Sequence, residues 1–138
     1  MASAAAALFV PRAWAGAAGG RTLRADDLDA LTPFEREHLP VLRIPTSTAN
    51  GNKVPIVVEM SHPMTPDHHV RTIRVWNRSD PVPSKGTFRL TPANGRVHLA
   101  FQAQMHHGVS EVSVTAECNR HGEWSISRGI EIPDHAGG

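Results

Sequence analysis

Between residues 54 and 132 apolar and polar positions alternate with a period of two, the pattern of strands that bury one face. Val54, Ile56, Val58 and Met60 share one side of such a strand, and His62 keeps the same parity beyond Ser61. Val70–Trp76, Phe88–Leu90, Val97–Ala103, Val112–Cys118 and Trp124–Ile132 are further strand candidates, and Val41–Ile44 is a short extended run. Turn-forming residues separate them at Asn50–Gly51, Ser79–Gly86, Asn94–Gly95, His107–Gly108 and Gly122. About seven short strands punctuated in this way predict an all-β, immunoglobulin-like β-sandwich. Within it, Val112, Val114, Ala116 and Cys118 form one inward row that ends at a turn, and Trp124 and Ile126 resume the row on the next strand.

The pattern differs upstream. Thr32–Pro33–Phe34–Glu35 has the form of a capping box with proline at the first helical position, which predicts a short N-terminal helical arm carrying Arg36, Glu37 and His38 and stopped by Pro40. Residues 21–33 are polar and charged, a linker with a helical turn at Asp27–Leu31. Residues 1–20 are alanine-rich and nearly uncharged, with an apolar run from Ala4 to Val10 and small residues around Ala15. They read as a truncated export signal cleaved after Ala15, which places the protein in the periplasm or otherwise outside the cytoplasm; the alternative is a disordered Ala/Gly arm. The apolar run is too short for a membrane span. The domain proper then covers 34–133, with a tail at 134–138.

Composition narrows the chemistry. The 138 residues suffice for one domain with a core, and a net charge of +1 with dispersed basic residues gives no nucleic-acid interface. Nine histidines are an unusual number for this length, and there is a single cysteine. An exported lone cysteine has no disulfide partner in its own chain and is better protected as a metal ligand than left free.

Two stretches concentrate donor groups. Cys118-Asn119-Arg120-His121-Gly122 places a thiol and an imidazole at a spacing that lets both reach one ion from a tight turn. Taken alone, C-x-x-H also describes a buried structural thiol beside a surface histidine, the commoner case. His62-Pro63-Met64-Thr65-Pro66-Asp67-His68-His69 is stiffened by two prolines that disfavour helix, so His62 and His68 can face a common point from its ends. By itself this is equally a solvated histidine-rich loop. His69 fits hydrogen bonding beside a ligand better than ligation. His98 alternates away from the apolar row, His106 and His107 precede a turn, and Trp124 serves either as a cover for the site or as core.

Three elements in order, Arg36-Glu37-His38-Leu39-Pro40, then H-P-M-T-P-D-H-H-V over 62–70, then C-N-R-H-G-E-W over 118–124, resemble the superoxide reductases of the neelaredoxin and desulfoferrodoxin type. The resemblance runs from about Phe34 to Ile132. It implies an immunoglobulin-like fold and one iron (Fe2+/Fe3+) per chain, held by the imidazoles of His38, His62, His68 and His121 with Cys118 as axial thiolate and a sixth position open to superoxide. It further implies one-electron reduction of superoxide to peroxide. Where the family has glutamate then lysine before the first histidine ligand, this chain has Arg36 and Glu37, which are the catalytic candidates here. The four-cysteine rubredoxin-like site of larger members is absent, so electrons come from an external donor, rubredoxin-like or cytochrome-type, and a homo-oligomer is compatible with the resemblance.

A blue-copper carrier needs a weak axial methionine downstream of its cysteine, whereas the last methionine, Met105, lies upstream. An exported iron-binding or carrier protein of a sulfur-oxidation system without reductase activity shares the H-P-M string of 62–64, but such carriers bear cysteine on a glycine-rich C-terminal arm, and residues 134–138 have none. A structural β-domain with incidental histidines would not be expected to carry five donors in register.

Overall fold

Ladders form where the period-two pattern predicts strands. The computed structural model describes residues 29–134 and, further upstream, the backbone pairing of Arg21–Thr22. The export-signal reading of residues 1–20, most of the linker and residues 135–138 lie outside the described residues. In chain order the elements are β1 (Arg21–Thr22), α1 (Pro33–His38), β2 (Val41–Arg43), β3 (Val54–Met60), β4 (Val70–Trp76), β5 (Ser84–Arg89), β6 (Val97–Ala103), β7 (Gly108–Cys118) and β8 (Gly122–Ile132). One sheet has the order β1-β8-β7-β4-β5 and the other β2-β3-β6. All pairings between these strands are antiparallel except β1 with β8. This is the expected all-β sandwich with a short helical arm. No helix among the described residues is long and apolar enough to cross a membrane.

The two inner faces meet through the rows that the alternation marks. Leu42, Val54, Ile56, Val58, Met60 and Val97 come from the smaller sheet; Val70, Ile73, Val75, Val112, Val114, Ala116, Ile126, Ile130 and Ile132 face them from the larger. In β4 the buried positions are Val70, Ile73 and Val75, a break in strict alternation. The register shift between Val70 and Thr72 explains it, because one extra residue lets both Val70 and Ile73 point inward. That bulge lies beside Cys118, which pairs with Val70.

Strand β5 starts at Ser84, within the stretch whose composition predicts a turn up to Gly86. Its residues show no apolar alternation because β5 is the edge strand and is held by main-chain pairing to β4. Its Lys85 turns to Asp80 at 3.2 Å, and both side chains are more than nine-tenths buried (6% and 8% exposed). Strand β7 likewise starts at Gly108 rather than after it. The resulting β7–β8 hairpin stays in register from Gly108 opposite Ile132 to Cys118 opposite Gly122. The end of β3, the start of β4, the β7–β8 turn and α1 therefore converge at one end of the sandwich.

Candidate metal centre

Helix α1 is short and stands on its caps. Thr32 Oγ1 accepts from the Glu35 N–H at 3.1 Å while Glu35 Oε1 accepts from the Thr32 N–H at 3.0 Å, and Pro33 occupies the first turn. Just past the helix, buried Leu39 packs on buried Trp124. His38 is thereby turned inward, 1% exposed, with Nδ1–H donating to the Phe34 carbonyl at 2.9 Å. A carbonyl only accepts, so Nδ1 carries the proton and Nε2 faces the site as a lone pair.

His62 follows the inward row of β3 and is buried. Its Nδ1–H donates to the Pro63 carbonyl at 2.7 Å, leaving Nε2 3.3 Å from Cys118 Sγ. His68 sits at the end of a tight turn in which Thr65 N–H and His68 N–H each donate to the other's carbonyl, at 3.0 and 3.1 Å. Asn119 ties this loop to the β7–β8 turn. Its Oδ1 accepts from His69 N–H at 2.9 Å, its Nδ2 donates to the Asp67 carbonyl at 3.1 Å, and its own N–H donates to the His69 carbonyl at 3.0 Å.

Cys118 and Gly122 flank the three-residue connection 119–121 that carries His121, and Gly122 takes the left-handed conformation, φ 79°. Trp124 Nε1–H donates to the His121 carbonyl at 3.1 Å and so fixes the turn, and its ring also lies 5.3 Å from that of His38. Trp124 is both core and cover. Cys118 Sγ accepts from the Arg120 N–H at 3.4 Å.

The donors converge. Ligand atoms of His38, His68, Cys118 and His121 all lie within 4.8 Å of one another. His62 stands outside that mutual set but touches the sulfur. His38 Nε2 is 3.1 Å from His121 Nδ1, close to the roughly 3 Å expected between adjacent nitrogens on an ion with bonds of about 2.1 Å. His68 Nε2 is buried with no hydrogen-bond partner among the described residues. Inward lone pairs on His38 and His62, backed by N–H donation to carbonyls, together with an orphaned nitrogen and a thiol, are the donor chemistry of a metal site. A borderline transition metal such as iron fits four imidazoles and a thiolate; calcium and magnesium, which take oxygen ligands, do not.

Electrostatics agree with neutral imidazoles. Burial pushes the His62 pKa down from 6.5 to about 4, with the charges of His38 and His68 adding to the effect and the Pro63 carbonyl and Glu37 opposing it. Burial is also the main cause that lowers His68 and His121. Glu37, half-buried, acts on all three rings, whereas Arg36 is exposed on α1 with Nη2 donating to the Leu31 carbonyl at 3.1 Å.

The remaining histidines among the described residues stay out of the cluster. His69 Nδ1–H donates to the Thr65 carbonyl at 3.0 Å, His98 pairs with Glu59 on the outer sheet face, and exposed His106 and His107 stack on each other. Sequence reasoning missed two residues. Phe34 lies against His38, His121 and Trp124 with ring centroids 4.3, 5.0 and 5.7 Å away, and Asn119 is the clamp just described. Phe34 stands four residues before His38, a helical spacing that could have flagged it; nothing local flags the partners of Asn119.

Fold and donor set together define the class: a β-sandwich with a candidate metal site of His38, His68, Cys118 and His121 at one end, and His62 against the sulfur. The chain belongs to the desulfoferrodoxin family, whose family model matches residues 30–127. A Thermotoga maritima protein provisionally named a superoxide reductase is 26% identical over 132 residues, covering 81% of this chain and all of that one. A crystal structure from the same organism, also provisionally named a superoxide reductase, aligns with TM-score 0.61 at 25% identity, covering 75% of this chain and 92% of that one. The superoxide reductase (neelaredoxin) of Ignicoccus hospitalis has the same fold, TM-score 0.62 at 18% identity over 81% of this chain and 95% of that one.

Proposed function

We propose that this protein is a one-iron superoxide reductase that takes its electrons from a separate protein. The observation that carries the reading is the convergence of His38, His62, His68, His121 and Cys118, with His68 Nε2 buried and unpartnered. Iron held by these residues would supply the single electron that, with two protons from solvent, converts superoxide to hydrogen peroxide. The chain's own residues prepare the place. The carbonyls of Phe34 and Pro63 fix the orientation of the His38 and His62 rings, and burial keeps His62 neutral and available as a donor. Phe34 and Trp124 cover one side of the cluster with aromatic surface. The Arg120 N–H and the His62 ring hold the Cys118 sulfur at the end of β7, where its strand anchors it to the core. The alanine-rich residues 1–20 support export.

The test is product analysis. Reduced, iron-loaded protein mixed with superoxide should consume it with one oxidised site per superoxide and yield hydrogen peroxide without dioxygen. Steady disproportionation that releases dioxygen, or no reaction, would overturn the reading.

A further inference from the structure

Among the described residues the guanidinium in the middle of the 119–121 turn has no partner, and this sets it apart from most arginines around the site. Arg71 and Arg74 are bound to Glu117 and Glu123 at 2.7 and 2.9 Å, and Arg36 is committed to the Leu31 carbonyl. Arg120 is exposed, and among the described residues its side chain makes no hydrogen bond or ion pair; only its backbone N–H is used, on Cys118 Sγ. The hairpin fixes where it starts. Cys118 and Gly122 are paired across β7 and β8, so Arg120 sits at the tip between the thiol and His121.

We infer that Arg120 is the residue that draws a small anion to the centre, in place of Arg36. The inference rests on the superoxide-reductase reading for the identity of that anion, but not for its charge. A free guanidinium on a three-residue turn between two donors cannot leave their vicinity by more than its own length. Arg36 starts instead from α1, and its guanidinium is turned to the Leu31 carbonyl. Half-buried Glu37 places a negative charge beside His38 on α1, and Arg120 offsets it for an incoming anion.

Replacing Arg120 leaves its backbone N–H on the sulfur, so the test separates steering from support of the thiolate. The probe is azide binding to the oxidised iron-loaded protein, followed by its absorption change, in wild type, Arg120→Ala, Arg120→Lys and Arg36→Ala. Arg120→Ala should weaken azide by about three- to tenfold at ~10 mM salt, and the difference should shrink below about twofold at ~0.5 M as screening shortens the reach of the charge. Arg120→Lys should restore most of the affinity, because charge rather than shape is at work. The bimolecular rate with superoxide should follow the same order. Unchanged azide affinity and salt slope in Arg120→Ala, or a larger loss in Arg36→Ala, would overturn the inference even if wild type reduces superoxide. Conversely, Arg120-dependent azide binding in a protein that does not reduce superoxide would support the inference and count against the functional reading alone.

Discussion

At the scale of single residues, the centre sets protonation against burial. His62 is buried and its pKa is depressed to about 4 in the folded chain, against 6.5 for the free side chain. Between those values the unfolded chain binds the extra proton, so folding stability rises with pH across this window. The contribution is complete above about pH 6.5 and is lost as pH falls toward 4, amounting to about 3 kcal/mol for this group. His68 and His121 are lowered too and act in the same direction. Urea denaturation of metal-free protein at pH 7.5 and 4.5 should show that loss; equal stability at the two values would mean that the rings charge freely. Cys118→Ser should remove the visible absorption and reductase activity yet leave the far-ultraviolet circular dichroism of a β-protein, because the core rows do not depend on the sulfur. Retention of both spectrum and rate would show that Cys118 is not a ligand. Arg36 and Glu37 show where local reading stops: their order is plain in the sequence, whereas the turn of Arg36 to Leu31 and the field of Glu37 on three rings depend on how α1 docks.

At the scale of elements, two devices hold the donors in place. The first is the cap of α1, legible in the sequence because Thr32, Pro33 and Glu35 interact locally. Thr32→Ala should cost about 1 kcal/mol, most of it felt in α1, and should weaken iron binding while the β7–β8 hairpin keeps its hydrogen-exchange protection. Equal iron affinity in the variant would mean that Leu39 on Trp124 suffices to place His38. The second is Asn119, which joins the 62–69 loop to the ligand turn through three hydrogen bonds. Asn119→Ala should lower metal affinity by about ten- to a hundredfold, the usual effect of removing support behind ligands, and competition with a chelator measures it. This clamp was not legible because its partners lie about fifty positions away. The rows of β3 and β7 were legible, since a half-buried strand writes its burial into every second residue. Ser84–Gly86 was not, because an edge strand held by main-chain pairing leaves no such record.

At the scale of the whole molecule, the sandwich is a rigid frame that presents one end of two sheets and a helix to a single point. Three segments distant in sequence, around His38, His62–His68 and Cys118–His121, meet there only when the sandwich is closed. A metal that binds this closed state and not the open chain should raise the unfolding temperature, and stripping it should lower that temperature without changing the fold. The most direct measurement is iron content together with the absorption spectrum of the oxidised protein purified after growth with iron available. One iron per chain with a visible thiolate-to-iron charge-transfer band, abolished in Cys118→Ser, is the expected result. Stoichiometric zinc or copper in its place, or iron without that band, would contradict the account.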